Sequence, residues 1–273
     1  TGFGQSGPYA ERPGYDGLIQ AMGGVMSLTG VPDGEPMKVA VPICDLMAGM
    51  YATVGILAAV RHQSETGEGQ FIDIGMLDTH IGWLANQGMN YLATGENPDR
   101  IGNMHPNILP YQVMPTADGY IVLSVGNDPT FERFCKLAEC EELLEDERFQ
   151  TNAARVSNRD FVTKTLNEIT SNKSSEWWLT ELEKEKIGCG PINNLDQVFA
   201  DPHVKARDMV VEMDHPAMGS KPIKLIANPI KLSKTPPTYR KAPPLLGQHT
   251  DEILGEAGLS VDEIAKLKED GTV

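Results

Sequence analysis

The chain has 273 residues, of which 40% are hydrophobic and 22% charged, a composition typical of a globular protein with room for about two domains. The formal net charge of −15 and the pI near 4.8 argue against nucleic acid and against anionic membrane surfaces, because both require a basic face. We therefore expect neither as a partner. A phosphorylated small molecule remains compatible, since a few local donors suffice to bind its phosphates.

The spacing of the cysteines suggests a reducing compartment, and the first residues suggest that a longer protein precedes them. Cys44, Cys135, Cys140 and Cys189 form no CxxC pair and no metal-ligand spacing with histidine, so we expect inert thiols and no metal site. The chain opens on Thr1 in a glycine-rich segment without a signal-peptide pattern. This suggests a start within a longer protein. The cytoplasm is the expected location, with the mitochondrial matrix as the alternative.

Apolar periodicity predicts two helices in the first part of the chain. Residues 16–26 fit a helix with Asp16 as its N-cap, and residues 46–62 fit a strongly apolar helix that follows Asp45. The apolar run 47–60 is shorter than a membrane span and contains two glycines. We therefore expect a buried helix there.

The remaining elements follow from alternation, capping and turn signals. Residues 70–76 alternate as a strand does, and Asp78 is a candidate N-cap for a helix to about residue 93. Residues 111–115 and 120–125, joined by a turn containing Asp118, predict a β-hairpin. Further helices are predicted at 131–138, 161–169, 175–186, 247–256 and 261–268, and further strands at 210–213 and 223–232.

Asp45 is the candidate catalytic residue. It follows a short extended segment and precedes the predicted apolar helix. At such a helix start, backbone N–H groups lack partners and the helix dipole favours negative charge. These features keep a carboxylate ionised and can stabilise charge that develops on an adjacent acyl group. Position alone favours a plain N-cap, so spacing does not decide between the two interpretations.

Several short segments form an ordered set along the whole chain: TGFGQSGPY at 1–9, RPGYD at 12–16, CDLMAGMY at 44–51, TGEGQ at 66–70 and APPLLGQHT at 242–250. Together they resemble the class III CoA-transferase family, which includes formyl-CoA transferase, carnitine CoA-transferase and α-methylacyl-CoA racemase. Within that family, the segments GNMH at 102–105, ILPYQ at 108–112 and GPINN at 190–194 are most similar to succinate–hydroxymethylglutarate CoA-transferase.

The resemblance implies a covalent mechanism at Asp45. A desolvated, oriented carboxylate can attack a thioester, forming an acyl–aspartyl anhydride and the CoA thiolate, which then returns to give an aspartyl-CoA thioester. The resemblance implies CoA transfer from a donor like succinyl-CoA to a dicarboxylic or hydroxy-dicarboxylic acid. Coenzyme A and acyl-CoA would be substrates, and neither a tightly bound cofactor nor a metal is expected.

Tyr15 distinguishes CoA transfer from the first of two alternative functions, racemisation. The racemase branch carries a histidine at this position as a second proton-transfer base, whereas a tyrosine is a poor base near neutral pH. Transfer is therefore favoured over an acyl-CoA racemase or epimerase. A non-catalytic dimerisation fragment is the other alternative, in which Asp45 has no chemical role. The resemblance implies that Tyr15 and Asp16 contact CoA.

The resemblance also implies a substrate loop, residues 103–110, which aligns with a glycine-rich loop over the reacting centre in formyl-CoA transferase. Here most of those glycines are replaced, which argues against a mobile loop. His105 and Asn107 are the candidate ligands of a dicarboxylate, with a structural loop and a surface histidine as the alternative.

The fold that the resemblance implies is α/β: part of a Rossmann-like large domain plus a small α+β domain, in the interlocked homodimer of these CoA-transferases. Residues 1–100 would form the end of the N-terminal part of the large domain, including the nucleophile. Residues 101–198 would form the small α+β domain, and residues 199–273 a C-terminal segment that returns to the large domain.

Overall fold

Helices make up most of the regular structure, and every strand lies in an antiparallel pair. The computed structural model describes residues 1–273, which divide by their contacts into two units, Thr1–Ile192 and Asn193–Val273. The helices are α1 Asp16–Met22, α2 Val25–Leu28, α3 Ile43–Thr66, α4 Met76–Gly82, α5 Ala85–Thr94, α6 Asp128–Leu137, α7 Asn152–Ser157, α8 Arg159–Thr170, α9 Ser175–Lys184, α10 Leu195–Ala200, α11 Pro202–Ala206, α12 Thr250–Glu256 and α13 Val261–Glu269; the strands are β1 Tyr111–Pro115, β2 Tyr120–Ser124, β3 Gly188–Pro191, β4 Val210–Met213 and β5 Ile223–Ile226.

The main core of the first unit lies on a three-stranded sheet of order β1-β2-β3. The predicted hairpin is confirmed, with Val113 opposite Val122. Strands β1 and β2 alternate buried and less buried positions, as expected for a sheet covered on one face. Apolar side chains of α6, α8 and α9 cover that face together with Phe149. Trp178 is fully buried and donates from its indole to the carbonyl of Thr170 at 2.7 Å.

Two predicted helices are shorter and differently capped than the sequence suggests. The helix predicted at 16–26 is interrupted at Gly23, and its N-cap is Tyr15 instead of Asp16. The helix predicted from Asp78 to residue 93 begins at Met76 after the N-cap Gly75 and is interrupted between α4 and α5. In both cases the carboxylate lies inside the first turn, where it still interacts favourably with the helix dipole.

The prediction of a strand at 70–76 is wrong. Residues 70–75 pair with no neighbouring strand and Met76 begins α4, so the segment lacks the ladder that defines a strand. The predicted strand at 223–232 ends at Ile226, where its pairing with β4 ends.

The apolar helix α3 differs most from expectation. It is 24 residues long, because the glycines inside it do not interrupt its hydrogen bonds, and it ends at Gly67 in the left-handed conformation (φ 81°) that glycine favours. The expectation of a buried helix is wrong: its most apolar window is only 6% buried, although α1 and α4 pack against it. By length and composition alone α3 could cross a membrane. Core helices of soluble proteins share this length and composition, so no membrane assignment follows.

The second unit contains α10–α13 and the antiparallel pair of β4 and β5. Asn194 and Gln197 form a capping box at the start of α10, and Ser260 and Glu263 form another at the start of α13, which stabilises both helix starts. The three-part division predicted at residues 100 and 198 stays a prediction.

Candidate active site

Asp45 lies in the first turn of α3, two residues after the helix begins at Ile43. It is not the N-cap, since Pro42 occupies that position and caps with no side-chain hydrogen bond. The Asp45 side chain is exposed and takes part in no hydrogen bond or ion pair within the chain. Its own N–H has no backbone acceptor. The plain N-cap interpretation is therefore wrong, and an unengaged carboxylate stands at the positive end of a long helix.

Asp16, in the first turn of α1, forms a hydrogen bond with the first turn of α3. One carboxylate oxygen accepts from the Cys44 N–H at 2.9 Å, satisfying one of the N–H groups that a helix start leaves unpaired. The other accepts from the Gln20 side chain at 2.7 Å, whose oxygen accepts from the Val39 N–H at 2.8 Å. The predicted CoA contact Asp16 is therefore engaged within the protein on both oxygens, and it lies against the residue that precedes Asp45.

Tyr15 is placed differently. It forms the N-cap of α1 with an extended backbone and makes no capping hydrogen bond through its side chain. Its side chain is 74% exposed. The phenol is therefore available to a ligand, next in sequence to the residue that anchors α3.

A buried histidine completes the surroundings of Cys44. The Cys44 thiol lies 3.3 Å from Nδ1 of His80, on α4. Burial, together with the carboxylates of Asp16 and Asp45, raises the pKa of Cys44 to about 11. Burial lowers the pKa of His80, against the opposing effect of Asp16. Near neutral pH both groups are uncharged.

The substrate loop is held in place on the sheet side of the first unit. The Asn152 amide bridges it, accepting from the Leu109 N–H at 3.1 Å and donating to the Asn107 carbonyl at 2.9 Å. Arg159 donates to the Pro106 carbonyl at 2.7 Å. These bonds agree with the expectation, from the replaced glycines, that the loop is not freely mobile.

Within this loop, His105 and Asn107 are neighbours. The His105 ring stacks on Tyr111 with centroids 5.3 Å apart, and its Nδ1 accepts from the Asn107 N–H at 3.1 Å. No hydrogen bond joins either residue to α3. The structure thus brings Asp16 to the helix of Asp45, leaves Tyr15 exposed beside it, and places His105 and Asn107 together on a separate loop.

Sequence reasoning missed His80 and Gln20. Both are buried polar residues, and His80 is 36 positions from its partner Cys44. No spacing rule links such a pair. The only local signal is the polar residue itself within an apolar helical pattern, where a satisfied core histidine is the usual interpretation. No group of three or more His, Cys, Asp or Glu side chains is arranged to hold a metal ion.

Comparison with known proteins gives relatives that extend over most of this chain. A succinate–glutarate CoA-transferase of Agrobacterium fabrum is 44% identical over 94% of the chain, and the human succinyl-CoA:glutarate CoA-transferase is 38% identical over 94%. The aligned region is 64% and 58% of those two proteins, so the chain spans about three fifths of their length. The crystal structure of a CaiB/BaiF family protein from Brucella suis superposes with a TM-score of 0.78 at 44% identity, covering 94% of this chain and 66% of that one.

The fold and the family agree. The mixed arrangement of helices and antiparallel strands is shared with the CaiB/BaiF neighbour, which confirms the predicted fold class, although this chain itself contains no parallel strand pair. The family model described as CoA-transferase family III matches residues 1–250, a region that includes Asp45, Cys44, Asp16 and the substrate loop. This chain belongs to CoA-transferase family III.

Proposed function

We propose that this chain carries the nucleophile of an enzyme that moves coenzyme A from an acyl-CoA donor resembling succinyl-CoA to a dicarboxylic or hydroxy-dicarboxylic acid. The substrate class is supported by relatives named for succinate, glutarate, mesaconate and citramalate. All of these are four- or five-carbon dicarboxylic acids. The compartment is proposed to be the cytoplasm, with the mitochondrial matrix as the alternative.

The observation that carries the proposal is the state of Asp45. A carboxylate that is exposed and unpaired in the first turn of a 24-residue helix is stabilised as an anion by the helix dipole. It also needs to break no interaction before it attacks. The unpartnered Asp45 N–H adds a donor near the place where charge develops on the substrate.

In the proposed reaction the carbonyl of Asp45 undergoes acyl substitution twice, first by the CoA thiolate and then by the acceptor carboxylate. The carboxylate oxygen attacks the thioester carbonyl of the donor, the C–S bond breaks, and CoA leaves as a thiolate. The thiolate then attacks the aspartyl carbonyl of the anhydride, releasing the donor acid and leaving an aspartyl-CoA thioester. The acceptor carboxylate repeats the two steps in reverse order and regenerates Asp45. Each step replaces one activated acyl bond by another, so the reaction needs no further energy source.

The proposal is tested by trapping the intermediate. We expect that incubation of the intact protein with succinyl-CoA, followed by hydroxylamine or borohydride, modifies Asp45 alone, because these reagents capture activated carboxyl groups. Mass spectrometry of the peptide that contains Asp45 checks the site. The neighbouring first-turn residue of α4, Asp78, serves as an internal control, since the same digest reports whether an ordinary carboxylate is modified.

Other outcomes would identify the alternatives. Turnover without any modified carboxylate would contradict the covalent mechanism. Incorporation of deuterium at the α-carbon of an acyl-CoA would instead support a racemase or epimerase, against which Tyr15 argues. An unchanged rate in Asp45→Asn would support the non-catalytic dimerisation fragment.

The substrate loop provides a separate prediction. We expect His105→Phe to raise the KM for the acceptor acid about tenfold, corresponding to about 1.4 kcal/mol, and to leave the KM for acyl-CoA unchanged. Phenylalanine keeps an aromatic ring over Tyr111 but removes Nε2, the nitrogen free to donate to a carboxylate, and also Nδ1, the acceptor of the Asn107 N–H. Initial rates with each substrate varied in turn check this. His203→Phe, at an exposed position, is the matched control, and an equal rise for both substrates would argue for a structural loop.

The exposed apolar surface of α3 supports the proposed homodimer. Val54 and Leu57 are 62% and 65% exposed, and apolar surface of this extent on a helix is typical of a protein interface. We propose that polypeptide, and not lipid, covers it in the intact protein. The net charge of −15 supports this choice, because the surface of a cytoplasmic membrane leaflet repels an acidic protein.

A further inference from the structure

The contact between Cys44 and His80 is buried next to Asp45, the candidate nucleophile. The two side chains come from α3 and α4, and their residues are 1% and 3% exposed. The thiol sulfur and the imidazole Nδ1 are 3.3 Å apart, within the range for a hydrogen bond to sulfur. Cys44 is the residue immediately before Asp45, so a constraint on its side chain is a constraint on the first turn of α3.

Both groups in this hydrogen bond are uncharged near neutral pH. The raised pKa of Cys44 keeps its proton on sulfur, and the lowered pKa of His80 keeps the ring neutral. Either the thiol donates to Nδ1 or Nδ1–H donates to the sulfur, as the histidine tautomer decides, and Nε2 is buried with no hydrogen-bond partner. An imidazolium at this site would attract the carboxylate of Asp16, whereas the neutral ring does not.

The His80 ring is confined on its other side by α1. A methyl group at Gly23 would overlap the ring at Cδ2, so only glycine leaves room for the observed ring position. Gly23 has φ −84°, a conformation open to any residue, and the need for glycine is therefore steric. Cys44 is thus held twice, through its N–H by Asp16 and through its thiol by His80.

We propose that Cys44 and His80 are positioning residues for Asp45. Their hydrogen bond joins two uncharged groups and fixes the first turn of α3, so that the Asp45 carboxylate keeps one orientation and pairs with no other group of the chain. This inference rests on the proposed function of Asp45. In that role the pair affects the chemical step more than the binding of acyl-CoA, because neither side chain reaches the surface where the substrate arrives.

The test uses a graded set of variants of the intact protein. We expect Cys44→Ala, which removes the hydrogen bond to His80, to lower kcat about tenfold while the KM for acyl-CoA changes less than about twofold. Cys44→Ser keeps a group that can donate to the ring or accept from it, and should recover kcat to within about threefold of the wild type. Gly23→Ala, which displaces the His80 ring without removing any polar group, should behave like Cys44→Ala. Gly255→Ala, with open space around its Cβ position, is the matched control.

Two further readouts separate positioning from a general loss of structure. Nitrogen NMR shifts of His80 should show the same single tautomer in the wild type and in Cys44→Ser, and a mixture of tautomers in Cys44→Ala. Thermal melting should show whether kcat follows stability. The inference is overturned if kcat is unchanged in both Cys44→Ala and Gly23→Ala, or if Cys44→Ser fails to recover kcat although it melts like the wild type.

The trapping experiment distinguishes failure of the positioning role from failure of the proposed function. An Asp45 adduct in the wild type together with unchanged kcat in the variants would overturn the positioning role alone. Absence of the adduct in a wild type that turns over would overturn the proposed function and this inference with it.

Discussion

Asp45→Asn is expected to lower kcat/KM for CoA transfer at least about a thousandfold, which corresponds to about 4 kcal/mol of transition-state stabilisation. An amide oxygen has nearly the same shape as a carboxylate oxygen, but it lacks the charge that makes the group a nucleophile. Initial rates of thioester exchange in the intact protein check this value. The loss should appear in kcat, because the change removes an interaction made only during the reaction.

The same variant should keep its stability. Asp45 is exposed and forms no hydrogen bond or ion pair within the chain, so its replacement removes only its favourable interaction with the helix dipole, about 0.5 kcal/mol. Asp33→Asn, at an exposed loop position, is the control for removal of one negative charge. A loss of activity that matched a loss of folded protein would contradict the catalytic role.

Arg155→Met is expected to destabilise the first unit by about 2–6 kcal/mol, which is about 1–3 kcal/mol for each of two buried carbonyls that lose their donor. Arg155 is fully buried, and its guanidinium donates to the carbonyls of Leu109 and Phe149, each at 2.7 Å, and to Asp128 at 2.8 Å. Methionine fills a similar volume but leaves both buried carbonyls without a donor. Denaturant unfolding followed by tryptophan fluorescence measures the change.

The tryptophan signal suits this measurement, because Trp83, Trp177 and Trp178 all lie in the first unit. Arg61→Met is the control: Arg61 forms an exposed i,i+4 pair with Glu65, and such pairs contribute about 0.5 kcal/mol or less. A loss below about 1 kcal/mol in Arg155→Met would contradict the assigned role.

Elements whose signals are local were predictable from the sequence. The hairpin of β1 and β2 follows from alternation and a tight turn, and α6, α8 and α9 follow from their amphipathic patterns. Where the outcome depends on a partner in space, the prediction failed. Residues 70–76 alternate as a strand does but find no strand to pair with, and α3 has the composition of a core helix although little of this chain covers it.

In the candidate site too, the residue with a local signal was predictable and its partners in space were not. Asp45 could be identified from its place before an apolar helix together with the resemblance of its surrounding segment. Its supporting residues could not, because Asp16 and His80 reach Cys44 from 28 and 36 positions away. Such contacts depend on how α1, α3 and α4 pack, and no pattern along the sequence determines that packing.

The exposed face of α3 has a thermodynamic consequence. A surface that binds another polypeptide only in the folded state stabilises that state by mass action, so the apparent melting temperature rises with protein concentration. In the homodimer proposed above, assembly along α3 would also affect the first turn that carries Asp45, because Asp45 lies at the N-terminal end of the same helix.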